Sequence, residues 1–180
     1  MPRYLTSLAA ALMVGLPLSG GAALAAGGGG GGGGSDTMDC PAGQVYDKST
    51  KKCVAKSSAL DTETLFEAGR SLAYAGQYDE AISVLRLAEG RKQPGIYNML
   101  GYAHRKKGRL LIALGYYEEA LRLDPDHVLT REYLGEAHLQ MGDLAAAREQ
   151  LGEIAKRCGT GCAEYAELDR HITAFERENG

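Results

Sequence analysis

The sequence predicts an all-α fold, an array of antiparallel helical hairpins closed by one further helix. Three observations predict it. A glycine and an alanine stand twelve residues apart in an amphipathic pattern three times: Gly69 and Ala81, Gly101 and Ala113, Gly135 and Ala147. A second glycine lies inside each pair, Gly76, Gly108 and Gly142, and splits each segment into two short helices. The unit recurs after 32 and then 34 residues, the mark of a helical repeat array. The small residues let paired helices cross closely while larger apolar side chains fill the space around them. Such an array points to binding rather than to chemistry.

In chain order the first element is an export signal over 1–25. Arg3 opens it, an apolar run over 5–18 follows, and Ala23-Leu24-Ala25 supplies a small-x-small cleavage site. The run is too short, and too soon followed by glycine, to hold a membrane span, so no stable insertion is expected after cleavage. Cys40 is no lipid-anchor cysteine, because Thr37-Met38-Asp39 precede it. Eight consecutive glycines over 27–34 then form a tether within a linker over 26–39.

A cysteine loop over 40–54 comes next. Val45 and Tyr46 make one extended stretch, Cys53 and Val54 another, and the polar run over 47–51 turns between them. A disulfide-closed hairpin is the expected form, since two cysteines are too few for a carbohydrate-binding cysteine module. Closing a loop of this length contributes about 3 kcal/mol in the chain-entropy model. A linker over 55–61 leads into the repeats.

The repeats occupy 62–161, as units over 62–93, 94–127 and 128–161. Inward positions are Leu65, Ala68, Gly69, Leu72, Tyr78, Ala81, Leu85 and Ala88 in the first unit. The second has Tyr97, Leu100, Gly101, His104, Leu110, Ala113, Tyr117 and Ala120, and Pro125 stops its last helix. The third has Leu134, Gly135, His138, Leu144, Ala147, Leu151 and Ile154. Over 162–180 a last helix carries Tyr165, Leu168, Ile172 and Phe175 on one face, and it is expected to cap the array.

Composition narrows the function. Losing Arg3 with the signal leaves 19 cationic against 23 acidic side chains, a net charge of −4. That balance, with export, disfavours nucleic acid as a partner. The expected location is periplasmic or secreted. Four cysteines in two close pairs, Cys40 with Cys53 and Cys158 with Cys162, fit disulfides in an exported protein. Local pairing is the preferred one of three connectivities; a Cys158–Cys162 bridge would set the angle of the cap.

These residues resemble the tetratricopeptide repeat (TPR) family. Leu100-Gly101, Gly108, Leu110, Ala113, Tyr117, Ala120 and Asp124-Pro125 follow its pattern position by position, and Leu134-Gly135, Gly142, Leu144 and Ala147 repeat it. In the first unit Ala68-Gly69 replaces Leu-Gly. More loosely, the layout looks like that of small exported bacterial TPR proteins. The resemblance implies a right-handed α-α superhelix of three units and a non-enzymatic module that binds a protein or peptide in its concave groove. Carried over by register, that groove would hold Phe66, Arg70 and Tyr74, then Asn98, Tyr102, Arg105 and Lys106, then Glu132, Glu136 and Gln140. Aromatics beside cations fill the first two rows and the third is acidic, which suits a ligand acidic at one end and basic at the other. Phe66 and Arg70 stand where the carboxylate clamp of some members has lysine and asparagine, so capture of a partner's terminal carboxylate is not implied.

Chemistry has few candidates. Cys158 and Cys162 have three residues between them, not two, and Cys158 sits at a helix C-terminus, where the dipole disfavours a thiolate. Neither cysteine pair has the spacing for haem attachment. His104 and His138 occupy equivalent repeat positions, but a metal site wants at least three protein ligands. In the family that position is a packing aromatic. Glu118, Glu119, Glu164 and Glu167 read as solvated helix faces. The glycine run lacks the lysine and strand-to-helix setting of a phosphate cradle. No cofactor, metal or catalytic residue is expected; the alternative is a thiol-redox or metal-binding protein using Cys158 and Cys162 or His104 and His138.

Overall fold

The computed structural model describes residues 40–179, and the expected export signal and glycine tether lie outside them. Two short strands open the described region, β1 (Gln44–Asp47) and β2 (Lys52–Ala55). They pair antiparallel with Val45 opposite Val54, and the Cys40–Cys53 bridge closes the loop. Seven helices follow: α1 (Thr62–Tyr74), α2 (Tyr78–Leu85), α3 (Pro94–Lys106), α4 (Leu110–Leu123), α5 (Val128–Gln140), α6 (Leu144–Cys158) and α7 (Ala163–Asn179). A single 3-10 turn over Arg86–Ala88 extends α2.

Sequence explains the helix ends. Asp61 and Asp143 accept backbone N–H bonds from Thr64 and Ala146, both at 2.9 Å, and His127 Nδ1 accepts one from Thr130. Pro94 sits in the first turn of α3, where its missing N–H costs nothing. The inner helices all end in one way. Gly76, Gly108 and Gly142 take φ values of 78°, 71° and 82°. That left-handed residue lets Gln77, Arg109 and Asp143 each donate a 2.9 Å bond back to Leu72, His104 and His138. The recurring glycine is therefore a helix stop.

Packing follows the small residues. Ala81, Ala113 and Ala147 are fully buried. A Cβ built on Gly69 would run into Leu85, and one on Gly101 would lie 2.5 Å from the Tyr117 ring. In both cases the filler comes from the second helix of the same unit. Gly135 differs: its Cβ would meet Leu168 of α7 at 2.6 Å. Two apolar clusters result. The larger runs from Val45 through the first two units into α5; the smaller joins Leu139, Ala147, Ile154, Leu168 and Ile172.

The hairpin is more than a bridged loop. Val45 is buried in the larger cluster against the first repeat, Lys48 pairs with Glu67 at 3.3 Å, and Lys56 pairs with Glu80. Arg91 reaches back to the Leu60 carbonyl at 2.8 Å, which pins the segment between hairpin and α1. The cysteine loop thus covers the open end of the first unit, as α7 covers the last.

Candidate functional site

The inner face is made by α1, α3 and α5, and its residues lie at three depths. Tyr74 is 54% exposed, and Arg70, Lys106 and Gln140 also reach solvent. Phe66, Tyr102 and Glu136 are half-buried. Asn98, Arg105 and Glu132 are buried, at 1%, 3% and 7% exposure. Phe66 lies against Gly95 at the start of α3, with the Arg70 guanidinium 5.6 Å from its ring centre.

An aromatic cluster holds the centre. Tyr74 meets Tyr102 edge-on at 5.6 Å, Tyr78 meets it at 6.4 Å, and Tyr133 lies beside it at 5.1 Å. The Tyr74 and Tyr133 hydroxyls are 3.4 Å apart. Lys106 stands over the Tyr102 ring at 5.8 Å from the solvent side. The Arg105 guanidinium lies over both the Tyr102 and Tyr133 rings, 5.6 Å and 5.4 Å from their centres. It donates to the Tyr117 hydroxyl at 3.3 Å and pairs with Glu136 at 2.7 Å. One guanidinium therefore ties α3, α4 and α5 together beside the half-buried Tyr102 ring. Burial raises the Tyr102 and Tyr117 phenols above their ordinary values, so both stay neutral donors and acceptors.

These depths correct the groove read from register. Asn98 is a core residue whose amide donates to Thr130 at 2.9 Å, joining α3 to α5. Arg105 is neutralised internally by Glu136, so it offers no free charge to an acidic ligand. Glu164 is half-buried, whereas the Glu167 side chain is 45% exposed as a solvated face would be, and both add negative charge near α5. Glu132 lies among them, and its carboxyl is pushed up to about 8 by burial and by Glu136, Glu167 and Glu164. Tyr133 joins the site without a signal in the repeat pattern, since its counterparts Met99 and Glu67 are not aromatic.

The cysteines and histidines are otherwise occupied. Cys40 is bonded to Cys53 and Cys158 to Cys162, the local connectivity, and no cysteine among the described residues is free. Sulfurs that share a bond are not thiolate ligands. The second bridge joins the end of α6 to the residue before α7. His104 is buried and stacks on Tyr116 at 5.5 Å, and burial lowers its basicity. Among the described residues neither His104 nor His138 belongs to a group of three ligating side chains.

The Tetratricopeptide repeat profile matches residues 66–110 and 98–161, more than half of the sequence. The chain belongs to the tetratricopeptide repeat family. Its stacked hairpins form the TPR superhelix, and solved TPR structures overlay on it. The first TPR of Spaghetti (RPAP3) bound to the HSP90 peptide SRMEEVD is 17% identical, with a TM-score of 0.58, covering 68% of this chain and 98% of that one. The Yersinia enterocolitica type III secretion chaperone SycD, in complex with a peptide of the translocator YopD, is 20% identical, with a TM-score of 0.54, over 64% of this chain and 89% of that one. In sequence, Protein O-mannosyl-transferase TMTC2 of Mus musculus is 33% identical over 109 residues, 57% of this chain. The match spans only 12% of that relative's length.

Proposed function

We propose that this TPR domain is a non-enzymatic interaction module of an exported protein, an adaptor in the cell envelope that holds a peptide segment of its partner across α1, α3 and α5. The observation that carries the reading is the supported aromatic strip: exposed Tyr74 and half-buried Tyr102, held from beneath by Arg105 and Tyr133 and flanked by Lys106. Rings fixed in advance lose little freedom on binding and supply large contact area. The peptides seen with the RPAP3 and SycD folds support a peptide as the ligand class. The apolar run and small-x-small site before residue 26, with two bridged cysteine pairs, support export.

Selection of phage-displayed peptides tests the groove. Wild-type protein should enrich a peptide family, and Tyr102→Ala and Lys106→Glu should each weaken it at least tenfold with helicity unchanged. Lys106 serves as the probe because it is exposed, whereas Arg105 is buried in an ion pair with Glu136. No enrichment, or full affinity in both variants, overturns the groove. Fusing residues 1–39 to alkaline phosphatase, active only after export in a bacterial host, tests the location; an inactive fusion removes it.

A further inference from the structure

Among the described residues two acidic ones are more than nine-tenths buried, Asp47 and Glu132. Asp47 accepts bonds from Ser49 and Thr50 and so shapes the hairpin turn. Glu132 has no hydrogen-bond or ion-pair partner among the described residues, yet its oxygens are not sealed from solvent. A buried carboxyl that opens on the surface with nothing to hold it is costly unless something comes to it.

Its surroundings are acidic. Glu136 stands one turn further along α5, and Glu164 and Glu167 of α7 add negative charge nearby, the Glu164 carboxylate lying beside the Cys158–Cys162 bridge. The cations nearby are committed. Arg105 of α3 is held by Glu136 at 2.7 Å, and Arg170 of α7 is held by Glu167 at 2.5 Å. His171 of α7 lies 3.3 Å from Glu167 and 3.9 Å from Glu136, and adds charge only when protonated.

We propose that the acidic seam where α7 packs on α5 seats one positively charged side chain of the bound peptide, a guanidinium or an alkylammonium, with Glu132 as its buried carboxylate partner. The assignment rests on the peptide groove proposed for α1, α3 and α5. It makes α7 part of the binding surface as well as a cap. The spread of the carboxyls sets the size of the guest. Among the described residues no three of them bring oxygens within 4.8 Å of one another. Metal ligands crowd to about 2.3–2.6 Å from a calcium ion, whereas a planar guanidinium bridges wider gaps with several donors.

The proton count gives the site a direction. Near neutrality Glu132 carries its proton for much of the time, because burial and the neighbouring carboxylates disfavour its charge. A bound cation displaces that proton, so affinity rises from pH 6 to pH 8. The other charged or titratable groups around it are Glu136 of α5, Glu164, Glu167, Arg170 and His171 of α7, and Arg105 of α3.

The test uses the full-length protein with 13C-labelled glutamate carboxyls, titrated with Nα-acetylarginine amide and, as the neutral control, Nα-acetylcitrulline amide. The expected result at pH 8 is a saturable shift of the Glu132 signal with arginine and none with citrulline, weakened at least fivefold at pH 6. The neighbouring Glu136 signal should move with it, Glu132→Gln should abolish that Glu136 shift, and the rim variant Glu164→Gln/Glu167→Gln should weaken the Glu132 shift about threefold. A Glu132 signal that stays still, or moves equally with citrulline, overturns the site. Selected peptides that bind equally well with every Arg and Lys changed to norleucine would also end it, while leaving the groove itself standing.

Discussion

The second and third repeats carry the same glycine and fill the space beside it differently. At Gly101 the filler is Tyr117 of α4, whose hydroxyl is bonded to Arg105 and so linked to Glu136. At Gly135 it is Leu168 of α7, within a small apolar cluster. The glycine specifies a gap, and the neighbours decide what closes it. In the middle of the array, where helices continue on both sides, the gap is closed by a ring that also anchors a charge network across three helices. At the end the cap supplies a simple aliphatic plug.

Removing the network should break the comparison hardest. Arg105→Ala leaves Glu136 half-buried without its cation and is expected to cost about 3–5 kcal/mol in urea unfolding. Replacing both partners with apolar residues of similar volume, Arg105→Met with Glu136→Leu, should recover at least half of that. A single-variant loss below about 1 kcal/mol would put the two repeats on the same footing.

The glycines themselves sharpen the contrast. Gly101→Ala drives a methyl into a fully buried ring fixed at its hydroxyl, and about 2 kcal/mol should be lost even after the helix-propensity gain. Gly135→Ala meets the movable ends of a leucine and should lose about 1 kcal/mol. The reverse order would mean that the cap is the more rigid of the two fillers.

A pH-dependent effect, vanishing in acid, concerns the acidic side of the third repeat. Glu132 holds its proton to about pH 8 when folded, against an ordinary value of 4.5. The folded state therefore binds more protons than the unfolded one across that window, and Glu132 lowers stability progressively as pH rises through it. Glu132→Gln should be more stable than the wild type by about 1–2 kcal/mol at pH 8, with the gain gone by pH 4. Parallel stability–pH curves for the two proteins would show that the carboxyl is not desolvated.

Most of the framework was legible from residues alone. Gly76, Gly108 and Gly142 marked the helix stops, Ala81, Ala113 and Ala147 the crossings, and the cysteine spacing the two bridges. The site was legible only as a row of positions. Register shows which helix face a residue occupies but not its depth, and depth turned Asn98 and Arg105 from ligand contacts into interior ties. Partners from different helices, such as Arg105 with Tyr117 and Glu136, leave no local pattern. The docking of Val45 on the first repeat escaped for the same reason: a strand residue's alternation does not say which body covers it.

The place of α7 has an architectural consequence. It rests on α5 and α6 as α3 rests on α1 and α2, so it occupies the berth a fourth unit's first helix would take. A thirty-odd-residue hairpin spliced in after Gly161 would meet a surface already shaped to receive it, and the cap would move outward by one step. The molecule is thus a series whose last helix closes it by filling, with Leu168 and Ile172, the place of the next unit.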